Sequence, residues 1–130
     1  MKLESPTFIV EKTQQEVFNF LTKVENFEQL MPESKQKFEK LNDSRFLFQL
    51  KGMPELVLEQ KGSTEYATVV LGAASDKLPF TLTANIIDTG DGKSTTQLLF
   101  EGEFNAMMGM MIKKPIQNFI NTLSENIGKL

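Results

Sequence analysis

The sequence contains no histidine, no cysteine and no tryptophan, and only one tyrosine. Without imidazole or thiolate groups, a zinc site, a two-histidine iron site and a histidine-based nucleophilic triad cannot be assembled. No metal and no other cofactor is therefore expected. The lack of cysteine also removes disulfides and fits a reducing, cytoplasmic setting. Positive charge is scarce as well: 14 Lys and Arg face 17 Asp and Glu, for a net charge of −3, with Lys113-Lys114 the only adjacent basic pair. Such a chain has no electrostatic footprint for a phosphate backbone, so nucleic acid is not an expected partner. No run approaches the roughly 18 apolar residues of a membrane-spanning helix, and no integral membrane segment is expected. Glu4 and Pro6 break the apolar stretch that a signal peptide would need. Together these absences predict a complete intracellular protein.

What is present suits one globular domain covering residues 1–130, with 40% apolar residues and enough length for a single core. Leu3 to Glu11 reads as a first strand, and Pro6 inside it predicts a sheet edge or a bulge. Thr13-Gln14-Gln15-Glu16 has the spacing of a capping box, and Val17, Phe18, Leu21 and Val24 follow at helical spacing. A second short helical piece, Asn26 to Met31, is expected to bury Phe27, Leu30 and Met31 and to stop at Pro32.

From Lys35 to Phe104 the pattern predicts six strands punctuated by Asn42-Asp43-Ser44, Gly52-Met53-Pro54, Gly62-Ser63, Ser75-Asp76-Lys77 and Thr89-Gly90-Asp91-Gly92-Lys93. Short connections imply an antiparallel meander. Phe46, Phe48 and Leu50 alternate with Arg45, Gln49 and Lys51; Phe80, Leu82, Ala84 and Ile86 alternate with Thr81, Thr83 and Asn85. Leu98, Phe100, Gly102 and Phe104 likewise oppose Gln97, Glu101 and Glu103. One face is therefore dry and the other wet. Ala106 to about Ile127 is helical, with an apolar stripe running from Met108, Met111 and Ile112 to Leu123 and Ile127, opposite Lys113, Gln117, Asn121, Ser124 and Glu125. Pro115 is expected to kink this helix near Met111. The fold class is α+β: a curved seven-stranded antiparallel sheet around a long C-terminal helix, with two short helices between the first two strands.

Three stretches carry a family resemblance. Val17-Phe18-Asn19-Phe20-Leu21, Phe27-Glu28-Gln29-Leu30-Met31-Pro32, and Phe100-Glu101-Gly102-Glu103-Phe104 running into a methionine-rich helix resemble the helix-grip fold of the START-like (SRPBCC) superfamily. That superfamily includes lipid and hormone binders, polyketide cyclases, oxygenase subunits and a co-chaperone, so the resemblance speaks for fold more than for activity. It implies a first strand at a sheet edge, in agreement with Pro6. The missing histidines separate this chain from the oxygenase members.

The remaining acid–base candidates are carboxylates, lysines and Tyr66. The strand alternation puts Glu59, Glu101 and Glu103 on the solvent face, and Tyr66 begins a strand. Gly90-Asp91-Gly92-Lys93 joins two strands and reads as a hairpin turn, since a phosphate loop would lead into a helix. The expected ligand site is an apolar lumen between sheet and helix. Phe48, Phe80, Leu82, Phe100 and Phe104 line it from the sheet; Phe27 and Met31 line it from the second helical piece, and Met108, Met111 and Ile112 from the long helix. The opposing expectation is a solid core in which these side chains meet. Three functions follow: binding of a lipid, isoprenoid or polyketide-like molecule without conventional catalysis; cyclase-like catalysis by cavity shape, which requires polar groups in the lumen; or protein interaction, for which an exposed Met107-to-Ile112 run would serve.

Overall fold

The computed structural model describes residues 1–74 and 79–130; the Ser75-Asp76-Lys77 turn expected from sequence lies outside them. Strands β1 (Lys2–Glu4) and β2 (Phe8–Val10) precede helix α1 (Gln14–Leu21) and a 3₁₀ helix (Val24–Leu30). Strands β3 (Lys35–Asn42), β4 (Arg45–Leu50), β5 (Leu56–Thr64), β6 (Thr68–Ala73), β7 (Phe80–Asp88) and β8 (Ser94–Gly102) lead to helix α2 (Ala106–Ile127). The sheet order is β1-β8-β7-β6-β5-β4-β3, with β2 also paired to β8 and every pairing antiparallel. The chain is thus a meander gripping α2, as the turn chemistry predicts.

The predicted first strand is two strands, because Pro6 cannot donate to the ladder. Ser5 repairs the break: its amide donates to the Leu98 carbonyl and its hydroxyl accepts from the Leu98 amide, both at 2.9 Å. The Pro6 carbonyl takes a hydrogen bond from the Ser124 hydroxyl of α2 at 3.0 Å. Ser124 is consequently buried, not on the polar side of the helix where its spacing places it. The capping box forms, with the Glu16 amide donating to the Thr13 hydroxyl and the Thr13 amide donating to the Glu16 carboxylate, each at 3.1 Å. Before Pro32, Met31 is extended (φ −65°, ψ 145°), as a residue preceding proline must be, and the 3₁₀ helix stops at Leu30.

Gly62-Ser63 is not a turn. Both residues lie within β5, which carries a register shift between Gln60 and Gly62 opposite β6. The reversal comes just after, where the Ala67 amide donates to the Thr64 carbonyl at 2.8 Å. A glycine inside a strand marks a bulge as readily as a turn. Tyr66 accordingly sits in the reversal and does not begin a strand. The Thr89–Lys93 segment is the expected hairpin turn, with Gly90 and Gly92 at φ +88° and +79° supplying left-handed backbone that other residues rarely adopt.

Helix α2 is continuous through Pro115 and packs on β8, β2, β1 and the 3₁₀ helix. Its flank is tied down by Gln117, which donates to the Glu4 carbonyl at 2.9 Å, and by Asn126, which donates to the Leu30 carbonyl at 2.8 Å. The core faces of β4, β7 and β8 follow the predicted alternation, with Phe46, Phe48, Leu50, Leu82, Ala84, Ile86, Leu98 and Phe100 buried. Phe104 falls beyond the end of β8. No described helix is long and apolar enough to cross a membrane.

Candidate functional site

The interior between α2 and the sheet differs at its two ends. Beneath the C-terminal half of α2 it is solid. Phe119 stacks on Phe48 at 5.0 Å between ring centroids, and Phe48, Phe46 and Phe27 or Phe38 continue the aromatic series at 5.9, 5.3 and 5.2 Å. Stacked and tilted rings at these separations fill space efficiently and add to the burial of apolar area.

Beneath the N-terminal half of α2 lies a small cavity of about 20 Å³, whose walls include Met53, Leu56, Phe80, Phe100, Phe104, Met108, Ile112 and Ile116. Phe80 and Phe100 stack at 5.2 Å, and Phe100 and Phe104 lie nearly parallel at 6.2 Å. Gly102 permits this arrangement, since a Cβ there would sit 2.5 Å from the Phe104 ring. The volume is about that of one water. The lining side chains offer no hydrogen-bond partner to a polar guest. A second space of about 10 Å³ lies among Leu21, Phe27, Val69, Leu71, Leu82, Ala84 and Leu98.

Of the residues singled out from sequence, Phe80, Phe100, Phe104, Met108 and Ile112 meet around the first cavity, and Phe27 and Leu82 line the second. Phe48 belongs to the solid aromatic stack, and Met31 is half-buried at the end of the 3₁₀ helix, lining neither cavity. Met111 departs from the apolar stripe expected of it, with 67% of its surface exposed. Adjacent helix positions differ by about 100°, so once Met108, Ile112 and Ile116 face the sheet, Met111 is turned onto the flank. Sequence reasoning missed Met53, Pro54 and Leu56 as cavity walls. Met53 reads from sequence as a methionine in a turn at the end of an element, and the loop that places it has no periodicity to assign it to the lumen.

No Asp, Glu, Lys or Tyr side chain lines either cavity among the described residues. Glu101 and Glu103 are exposed, and Glu59 pairs with Arg45 at 3.3 Å and Lys61 at 3.4 Å on the outer face. Desolvation pushes the Glu59 carboxyl up, but those two cations outweigh it and hold the group below its ordinary value. Tyr66 meets Phe18 edge-on at 5.4 Å, away from both cavities. A hydrogen bond to the Glu65 carboxylate raises its phenol above the ordinary range, opposite to what a general base would require. No group of three or more Asp or Glu side chains converges as metal ligands would among the described residues.

No family model and no curated protein matches the sequence. Solved structures do match in shape. Norcoclaurine synthase from Thalictrum flavum superposes with a TM-score of 0.76 at 10% identity, over 99% of this chain and 84% of that one. TTHA0849 from Thermus thermophilus gives 0.75 at 10% identity, over 99% and 95%. A START superfamily protein from Mycobacterium smegmatis gives 0.69 at 10% identity, over 98% and 94%. At such identities the likeness establishes architecture and leaves activity open: this chain has the helix-grip fold of START-like proteins.

Proposed function

We propose that the protein binds an apolar small molecule, of lipid, isoprenoid or polyketide-like chemistry, between the N-terminal half of α2 and the sheet. The observation that carries this reading is the placement of an all-apolar cavity beside half-buried, deformable side chains, Met108, Ile112 and Phe104. Drug-sized ligands occupy roughly 300–1,000 Å³, so the 20 Å³ space is a starting point that binding must enlarge. Methionine has three rotatable bonds and a polarizable sulfur, and it repacks at low cost. Phe104 lies outside β8, so its movement disturbs no ladder hydrogen bond. The norcoclaurine synthase of similar fold was crystallised with dopamine and hydroxybenzaldehyde, which supports small-molecule binding as a use of this architecture. The cavity's lack of polar walls supports binding over catalysis, and the lack of cysteine suits a cytoplasmic setting.

Native mass spectrometry of the purified protein, before and after organic extraction, tests the proposal. The expected result is an adduct of a few hundred daltons that extraction removes and a hydrophobic extract restores. A protein with no adduct that also ignores fluorescent fatty-acid probes would overturn it.

A further inference from the structure

The N-terminal half of α2 also carries an outward-facing surface that the cavity does not use. Met107, Met110 and Met111 are 75%, 83% and 67% exposed, the largest such values among the exposed apolar side chains. Together with Lys114 they occupy positions i, i+3, i+4 and i+7, which share one side of a helix, and Lys113 follows Met110 by one turn. Lys51, at the end of the neighbouring β4, lines the same surface groove as Lys114 and Pro115. The result is an apolar tip with a collar of three lysines about one turn behind it.

The collar is electrostatically uncommitted. Among the described residues Lys51, Lys113 and Lys114 have no carboxylate within ion-pair distance, as also holds for Lys12 and Lys23 elsewhere on the surface, whereas Lys2, Lys35, Lys37, Lys40, Lys61, Lys93 and Lys129 all do; what sets the collar apart is that its lysines stand beside exposed methionines. No Asp or Glu occurs in α2 before Glu125; the nearest acids in sequence are Glu103, before the helix cap, and Glu55, which is paired with Lys37 at 3.6 Å. Glu33, exposed between the groove residues Pro32 and Ser34, is the one carboxylate adjoining the groove in sequence among the described residues, so on a chain of net charge −3 three lysines against one acid still leave a local positive surface around an apolar one.

We infer that the first two turns of α2, with Lys51 beside them, dock on the surface of an anionic lipid bilayer: Met107, Met110 and Met111 enter the headgroup–acyl boundary and the three lysines reach back to lipid phosphates. Apolar side chains at the leading end with lysines one turn behind is the arrangement in which lysine stems lie along the apolar layer while their ammonium groups remain at the headgroups. A second copy of this chain fits less well. A symmetric contact would bring two cationic collars together, and three methionines cannot supply the roughly 800 Å² that a stable dimer buries on each partner. Because Met108 and Ile112 of the same turns line the cavity, docking also brings the cavity to the membrane. The inference goes beyond the ligand reading and does not depend on it.

Flotation of the full chain with vesicles of phosphatidylcholine, alone and mixed two to one with phosphatidylglycerol, provides the test. Binding to the anionic vesicles only is expected, weakening as salt is raised. Each lysine near an anionic surface changes partitioning about fivefold. Lys113→Glu with Lys114→Glu is therefore expected to lower it by well over tenfold, and Met107→Glu with Met110→Glu to abolish it. Ile87→Glu, on an exposed apolar residue of β7, is expected to leave it unchanged. All substituted positions are exposed, and circular dichroism of each variant confirms the fold. Absence of flotation, or equal loss with Ile87→Glu, would overturn the inference and leave the patch to a protein partner; self-association removed by the methionine variants would overturn it in favour of a second copy. Either failure leaves the ligand reading intact, since flotation needs no occupied cavity.

Discussion

Pro115 divides α2 into two halves that solve different problems. Behind it, Ile116, Phe119, Ile120, Leu123 and Ile127 are buried against β-sheet and 3₁₀ helix, and Ser124 is bound to the Pro6 carbonyl. Ahead of it, Met108 and Ile112 are half-buried at a cavity edge, while Met107, Met110 and Met111 face solvent. The proline removes the amide that would bond to the Met111 carbonyl, so the leading half is joined to the rest by one backbone hydrogen bond fewer. Residue type follows the same division. Branched aliphatic and aromatic side chains with few rotamers build the solid end, and flexible methionines build the end beside the cavity. The helix is thus fully packed at one end and half-buried beside a cavity at the other.

The sharpest way to break this contrast is truncation at each end. Phe119→Ala removes the centre of the aromatic stack and is expected to cost about 3–5 kcal/mol. Met108→Ala, beside existing space and half-exposed, is expected to cost about 1 kcal/mol or less. Urea unfolding of the two variants decides the matter, and equal losses would mean that the two ends are equally well packed.

Thr96 sharpens the same comparison from inside the solid end. Its hydroxyl is the one buried side-chain polar atom among the described residues without a hydrogen-bond partner. Replacing an unsatisfied buried hydroxyl with a methyl removes a desolvation cost of about 1–3 kcal/mol. Thr96→Val is therefore expected to raise the urea midpoint with no change in slope. A lower midpoint would show that the hydroxyl has a partner in solution.

Acidity should affect neither end of the interior, because among the described residues every shifted group lies on the surface. Glu16 is held below its ordinary value by the Thr13 amide and hydroxyl, Glu25 first by its own amide, and Asp91 first by the Thr89 hydroxyl. A carboxylate lowered in the folded state contributes stability that is complete above its unfolded value, near 4–4.5, and lost as pH falls through the folded value. With no histidine to titrate, melting temperature is expected to be flat from about pH 5.5 to 7 and to fall below about pH 4. A transition near pH 6 would point to an interaction that the fold does not contain.

Much of the architecture was legible because it depends on local rules. Side chains alternate across a strand, so Phe46, Phe48 and Leu50 had to share a face, and Thr13 with Glu16 had to cap a helix. What escaped depends on partners distant in sequence. Ser124 looks solvent-facing until the Pro6 carbonyl, 118 residues away, is seen to need a donor. Met111 looks buried because an apolar stripe does not state how wide the covering sheet will be. Gly62 serves a bulge where a turn was expected, glycine being suited to both. In the site, the β7, β8 and α2 walls were readable from periodicity, whereas Met53 and Pro54 arrive on a loop whose path no spacing records, and Leu56 opens β5 directly after that loop. The lumen itself was the least legible feature, since about 20 Å³ of space depends on how rings such as Phe104 settle and not on which residues face inward.

The central claim, that the adaptable end of the grip takes an apolar ligand, is tested most directly by titrating a fluorescent fatty-acid analogue into the wild type and two tryptophan variants. Met108→Trp occupies the space a ligand would open, and Met31→Trp adds the same bulk at a half-buried position that lines neither cavity. Saturable binding by the wild type and Met31→Trp, weakened at least tenfold in Met108→Trp, is the result this account predicts; no binding by the wild type, or equal binding by all three proteins, would contradict it.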